Sequence, residues 1–204
     1  MSKHVIVVAS GETERRALPR LVRYLRDEGI VAEDVRIPPR NMVLNVEMAE
    51  KLIKAAWYEN RDSPPDKFVV VMDVDRADPT EVLEPMRTQL PERVREVTAD
   101  VLYAYAQAHL EAWYFADVDN LRNYLGRSPG HVDASKPDEI ENPKLQLRHL
   151  LGERVYTARV SAEIAGMLDA TAIVQRSPSF RTFVDAVMNG SGDVVPPPAT
   201  GDNA

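Results

Sequence analysis

The sequence predicts an α/β fold: a mainly parallel sheet of about four strands with helices on both faces, followed by a helical C-terminal part. Three observations carry that reading. In the first half, short β-branched runs alternate with segments whose apolar residues recur at helical spacing, the pattern of parallel strands joined by crossover helices. HVIVVA (residues 4–9) and KFVVVMDVD (residues 67–75) contain near-continuous apolar runs, as strands covered on both faces do. Beyond residue 108 the strand-like runs stop and helical spacing takes over.

Taken in order, residues 4–9 form the first strand. In residues 13–28, Ala17, Leu18, Leu21, Val22 and Leu25 share a helical face, with Thr13 placed to cap the helix and Gly29 to end it. Residues 31–37 read as a second strand closed by Pro38-Pro39, and residues 42–58 as a second helix. The loop Arg61-Asp62-Ser63-Pro64-Pro65 leads into the third strand, residues 67–75. A helix over residues 80–90, with Thr80 or Asp78 near its start, precedes a fourth strand at residues 100–107. Helices are then predicted over 109–117, 119–125, 143–151, 161–168 and 179–188. Residues 126–142, with Pro129, Gly130 and Pro137, read as a loop. Residues 1–189 are read as one domain, with 108–189 as its mostly helical part and 190–204 as a flexible, aperiodic tail.

At 204 residues, length favours one domain, and 44% hydrophobic residues suffice for a core. No run of eighteen apolar residues occurs, and the N-terminal run lacks a small-residue cleavage site, so it reads as a strand and not as a signal peptide. There is no cysteine, which excludes disulfides, thiolate metal sites and thiol nucleophiles. A cytoplasmic location fits. The formal net charge of -7 makes long-range attraction to phosphates weak or repulsive. If the chain acts on nucleic acid, a partner or a divalent metal supplies part of the attraction.

In open α/β sheets, ligands bind beyond the carboxyl ends of the strands. Two acidic groups fall there: Glu12 and Glu14 after the first strand, and Asp73, Asp75 and Asp78 after the third. On a continuing strand, Asp73 and Asp75 point to one face. Two carboxylates about 4 Å apart repel by about 4 kcal/mol at an effective dielectric near 20. Water, an arginine such as Arg76, or a divalent cation relieves that cost, and an oxygen-only donor set suits Mg2+ or Mn2+. The plainer reading is a solvated turn with Asp78-Pro79 opening a helix, and the residues alone leave both open. Acidic residues in a first helical turn also complement the helix dipole, which explains Glu12 without further role.

Glu111 lies among Leu110, Ala112, Trp113 and Phe115, where an ionised carboxylate needs a partner. It belongs either to a site or to an ion pair with Arg176 or Arg148. His109 is read as structural. Arg16, Arg20 and Arg23 share one helical face, either a phosphate-facing stripe or a solvated surface, and the solvated surface is preferred. Lys144, and Arg176 with Ser177 at a helix start, are candidates for holding an anion, with a helix cap plus surface charge as the plainer alternative.

SGETE after the first strand, MDVDRADP after the third, HLEAWYFAD, ENPK and QRSPSFRTFVDAV together resemble a bacterial family, domain of unknown function 4276, regarded as Toprim-like. The resemblance spans roughly residues 4–188. It implies a Toprim-like, Rossmann-like α/β fold, which topoisomerases, primases and the overcoming-lysogenization-defect nucleases share. It also implies roles. Glu14, Asp73 and Asp75 match the glutamate and the Asp-x-Asp that hold one or two Mg2+ or Mn2+ ions, and Glu111 matches the family's Glu-Ala-Trp. With Lys144 these form the expected catalytic set, and Arg76, Lys144, Arg176 and Ser177 the expected phosphate contacts. An ATPase partner in a defence or DNA-processing module is implied likewise.

One position departs from the pattern. The first metal-binding glutamate of the family pattern falls at position 10, where this chain has Ser10. A neutral hydroxyl is a poor metal ligand and a poor general acid or base. The resemblance therefore implies a metal-dependent nuclease or phosphodiester-processing protein with reduced activity. A non-catalytic module binding a partner or nucleic acid is the first alternative. A transferase holding a nucleotide-sugar through Asp-x-Asp is the second.

Overall fold

The structure, a computed structural model, describes residues 2–127 and 134–189. The predicted tail at 190–204 and the Pro129-Gly130 part of the predicted loop lie outside the described residues. In chain order the elements are β1 (Lys3–Val8), α1 (Glu12–Leu21), β2 (Ile30–Arg36), α2 (Val46–Glu59), β3 (Lys67–Asp73), α3 (Pro79–Arg93) and β4 (Asp100–Ala106). There follow α4 (Glu111–Tyr114), α5 (Val118–Leu125), α6 (Pro143–Leu151), α7 (Ala158–Ala165), α8 (Ala170–Arg176) and α9 (Pro178–Met188). Short 3-10 segments cover Arg23–Glu28 and Pro137–Glu139.

The four strands form one parallel sheet in the order β2-β1-β3-β4. Val7 of β1 pairs with Val35 on one side and Val69 on the other. Successive strand residues face opposite sides, and here both sides are covered. Val5, Val7, Val69, Val71, Leu102 and Ala104 join the core that contains α1 and the C-terminal helices. Ile6, Val8, Phe68 and Val70 join the core beneath α2 and α3. That double burial explains why β1 and β3 read as continuous apolar runs.

The helical C-terminal part closes the α1 side of the sheet, with α7 against α1 and α9 against β4. Trp113 is fully buried, and its ring meets Phe180 at 5.0 Å and Phe183 at 5.8 Å between centroids. Both ends of α9 are tied down. At its start, Asp138 accepts hydrogen bonds from the Ser177 hydroxyl (2.8 Å), the Ser179 hydroxyl (3.0 Å) and the Ser179 backbone N–H (2.8 Å). At its end, the buried ammonium of Lys67 donates to the carbonyls of Ala186, Val187 and Asn189. These carbonyls are the acceptors a helix terminus leaves without intrahelical partners.

Several boundaries differ from the sequence reading. Helix α1 starts at Glu12 behind Gly11 instead of behind Thr13, and gives way after Leu21 to the 3-10 segment. Gly29 ends that segment at φ 77, the left-handed conformation glycine adopts without steric penalty. Helix α2 begins only at Val46, because the Asn45 side chain accepts from Met48 N–H and caps it there. The helix predicted over 109–117 shrinks to α4, and α8 was not anticipated. Among the described residues, no helix is long and apolar enough to cross a membrane.

Candidate functional site

The carboxyl ends of β1, β3 and β4 meet the start of α1 and the connection into α4. Strand β1 delivers Ser10-Gly11, and Gly11 is the N-cap of α1 in an extended conformation. Glu14 follows in the first turn, and its Oε2 lies back over Gly11, where an added Cβ would stand 3.4 Å away. Burial and the negative charge of Asp73 push the Glu14 carboxyl up to about 7. The helix N–H of Glu14 itself pulls in the other direction, Glu111 adds to the rise, and Lys144 offsets part of it. Glu14, in the first turn of α1, is thus held well above the ordinary carboxylate range, within electrostatic range of the Asp73 carboxylate at the end of β3.

Asp73 ends β3, directly opposite Ala106 of β4. Its Oδ2 lies 3.3 Å from Nδ1 of His109. That hydrogen bond and the Asp73 charge raise the imidazole pKa, against the opposing effect of its partial burial. Glu111, two residues on, is 1% exposed. Its Oε1 accepts from the Tyr156 hydroxyl at 2.8 Å and lies 3.8 Å from the Lys144 ammonium. Burial holds the Tyr156 phenol far above its ordinary range, so it stays a neutral donor. Lys144 sits in the first turn of α6, with its side chain 38% exposed, so the ammonium reaches both Glu111 and solvent.

The chain after Asp73 changes the expected geometry. Strand β3 ends there, and Val74-Asp75-Arg76-Ala77 forms a turn closed by Ala77 N–H to the Val74 carbonyl at 2.9 Å. Asp75 and Arg76 have φ 49 and 66, the left-handed region at both central positions that defines a type I′ turn. The single-face geometry expected for Asp73 and Asp75 is thus corrected. The strand does not continue, Val74 is buried, and Asp75 is carried out to an exposed position.

The remaining anticipated residues divide. Glu14, Asp73, Glu111 and Lys144 come within electrostatic range of one another. Glu111 pairs with Lys144 and Tyr156, and not with either arginine offered as a partner, Arg176 or Arg148; the Arg176 guanidinium donates to the Ala116 carbonyl at 2.6 Å. Ser177 is fully buried, and the anion at that helix start is the chain's own Asp138. Arg76 extends from the turn and donates to the Glu139 carbonyl at 3.3 Å. Glu12, in the first turn of α1, pairs with Arg15 at 2.8 Å and Arg16 at 2.7 Å on the surface. Asp78 caps α3 through Thr80 N–H.

Two residues at the site were not anticipated. His109, read as structural, touches Asp73, and its signal was the His-x-Glu spacing that places it beside Glu111. Tyr156 carried no signal, since it precedes α7 in a connection without periodicity.

Among the described residues, no three His, Asp or Glu side chains converge as a preformed metal-binding group. Magnesium usually retains several waters and takes one or two protein carboxylates, with substrate phosphates completing the shell. The Glu14–Asp73 pair fits that requirement. It does not fit a metal that needs a closed cage of side chains.

The chain matches the family described as Domain of unknown function (DUF4276) over residues 10–188, and it belongs to that family. No curated protein matches it. Among solved structures it is similar to the C-terminal region of the Burkholderia pseudomallei OLD protein. That match has 18% identity and a TM-score of 0.45, covering 92% of this chain and 100% of the other. It is also similar to the C-terminal region of the Xanthomonas campestris pv. campestris OLD protein phased with iodine. There the identity is 14% and the TM-score 0.43, covering 91% of this chain and 94% of the other.

Proposed function

We propose that this chain is a metal-dependent, Toprim-like phosphodiester-processing domain, a nuclease or a close relative, in which Glu14 and Asp73 hold Mg2+ or Mn2+. The supporting observation is the meeting of the half-buried Glu14 with Asp73 at the carboxyl edge of the sheet, where desolvation and the Asp73 charge push the Glu14 carboxyl up to about 7. Crowded carboxylates of this kind lower their mutual repulsion when a cation binds between them. A cation held by Glu14 and Asp73 would supply Lewis-acid activation of an attacking oxygen and charge neutralisation at the phosphate.

The chain's own residues do the rest. His109 donates to Asp73 and fixes its orientation. Glu111, held by Tyr156, anchors Lys144 near the carboxylate pair, and the half-exposed ammonium meets the phosphate as a point charge. Ser10, two residues beyond the end of β1, offers only a hydroxyl where the family pattern has a carboxylate, so proton transfer is weak and turnover slow. The family resemblance supplies the further expectation of an ATPase partner. A net charge of -7 is consistent with a partner that brings the nucleic acid in.

The test is cleavage of plasmid DNA with Mg2+ and then Mn2+, comparing wild type with Asp73→Asn. Slow, metal-dependent nicking that Asp73→Asn abolishes supports the reading. A second reading, a non-catalytic module, draws on Ser10 and the exposed Asp75. Equal and negligible cleavage by both proteins, with partner binding intact, favours it.

A further inference from the structure

Away from the carboxylates, α1 and α7 enclose a cleft of about 870 Å³. Five arginines line it: Arg15, Arg16, Arg20 and Arg23 along α1 and the 3-10 segment that continues it, and Arg159 from α7. Glu33 and Glu163 are the acidic residues of the lining, and both are engaged: Glu33 with Arg26, outside the cleft, and Glu163 with Arg159 at 3.0 Å. Arg15 and Arg16 share one carboxylate, Glu12. Arg20 and Arg23 are exposed, and among the described residues neither has an ion pair or a hydrogen bond from its guanidinium. The cleft is thus net positive on a chain whose total is -7.

With Arg15 and Arg16 sharing Glu12, Arg159 paired with Glu163, and Arg20 and Arg23 uncompensated, the cleft keeps a local positive potential opposite to the whole-molecule field. From Arg16 to Arg23 the chain advances about 10 Å at an α-helical rise. That distance spans about three phosphates of one strand at 3.4 Å each. Guanidinium groups bind phosphate oxygens through paired donors, and a row of them along a groove suits a linear phosphate chain better than a single small anion. The cleft also begins one residue after Glu14 on the same helix.

We infer that the α1–α7 cleft is a nucleic-acid backbone track, contacting consecutive phosphates without reading bases. The choice of nucleic acid over other polyanions rests on the phosphodiester reading above; the positive cleft does not. Sequence pattern alone favoured a solvated face for Arg16, Arg20 and Arg23. The addition of Arg159 from a separate helix is what the structure contributes.

Fluorescence anisotropy with labelled single-stranded and duplex oligonucleotides, in chelator and low salt, tests it. R20E/R23E is compared with K51E/R95E, an equal charge change at exposed positions on and beyond α2 and α3. Asp73→Asn is the third protein. The inference predicts binding of at least one oligonucleotide, weakened roughly tenfold or more by R20E/R23E, with a salt slope lower by about two. It predicts little change in K51E/R95E and retained binding in Asp73→Asn. Absent wild-type binding, or equal weakening by both double variants, overturns it. Binding lost in Asp73→Asn but kept in R20E/R23E also overturns the track while leaving the carboxylate site standing. Because no metal is present, failure of the track and failure of the metal site are read separately.

Discussion

His109 Nδ1 stands 3.3 Å from Oδ2 of Asp73, linking the β4–α4 connection to the end of β3. The contact raises the His109 pKa above its ordinary 6.5. A raised imidazole pKa contributes stability that is fully present below 6.5 and is lost as pH rises through the folded-state value. An NMR titration of His109 is expected to show a pKa above 6.5 that falls in Asp73→Asn. Saturating Mg2+ should lower it as well, because a cation on Asp73 opposes the imidazolium. An unshifted titration in the wild type contradicts the pairing.

Glu14 works in the opposite sense from an ordinary surface carboxylate. Its folded pKa of about 7 lies above its unfolded value of 4.5. The protonated form is the one the fold prefers, so its contribution is present below 4.5 and lost as pH rises through 7. Across that window the metal-free protein should lose on the order of 3 kcal/mol, from 1.36 kcal/mol per pKa unit. Thermal melts from pH 5 to 8 should show this loss flattened in Glu14→Gln and reversed in the wild type by Mg2+. A Glu14→Gln variant that is less stable than wild type at pH 8 without metal contradicts the assignment.

Lys67 ties the end of α9 to β3. Replacing it with Met removes the donor shared by the α9 terminal carbonyls. Leaving buried acceptors without a donor costs about 1–3 kcal/mol. Urea denaturation of Lys67→Met should show a lower midpoint with an unchanged slope.

Asp138→Ala should likewise destabilise the fold, because it strips the acceptor from Ser177 and Ser179 at the start of α9. The expected loss is about 1–3 kcal/mol. Added phosphate should not restore it if this helix start has no role as a phosphate site. Unchanged stability in Asp138→Ala would contradict this role of Asp138.

The sheet was legible because β1 and β3 are covered on both faces, and continuous runs such as VIVV and FVVV admit few other readings. Glu14 and Asp73 were legible as acids at strand ends, a position that topology assigns to ligands. Asp75 does not share the face of Asp73, because the Asp-x-Asp spacing implies one face only while the strand lasts. The left-handed turn at Asp75 and Arg76 leaves no compositional mark, since neither residue is glycine. Tyr156 and Asp138 were invisible for a different reason. Tyr156 lies in an irregular connection and Asp138 in a three-residue 3-10 segment, and their partners, Glu111 and Ser179, are 45 and 41 residues away. The arginine cleft was half legible, because helical spacing aligned Arg16, Arg20 and Arg23 but could not bring Arg159 to them.

The most direct test of the central claim is isothermal calorimetry of Mn2+ and Mg2+ binding at pH 7, run in two buffers of different ionisation enthalpy. The account predicts one or more ions bound with release of protons from Glu14, and loss of that binding and of the proton release in Asp73→Asn. Absence of metal binding in the wild type, or binding that Asp73→Asn leaves unchanged, would contradict it.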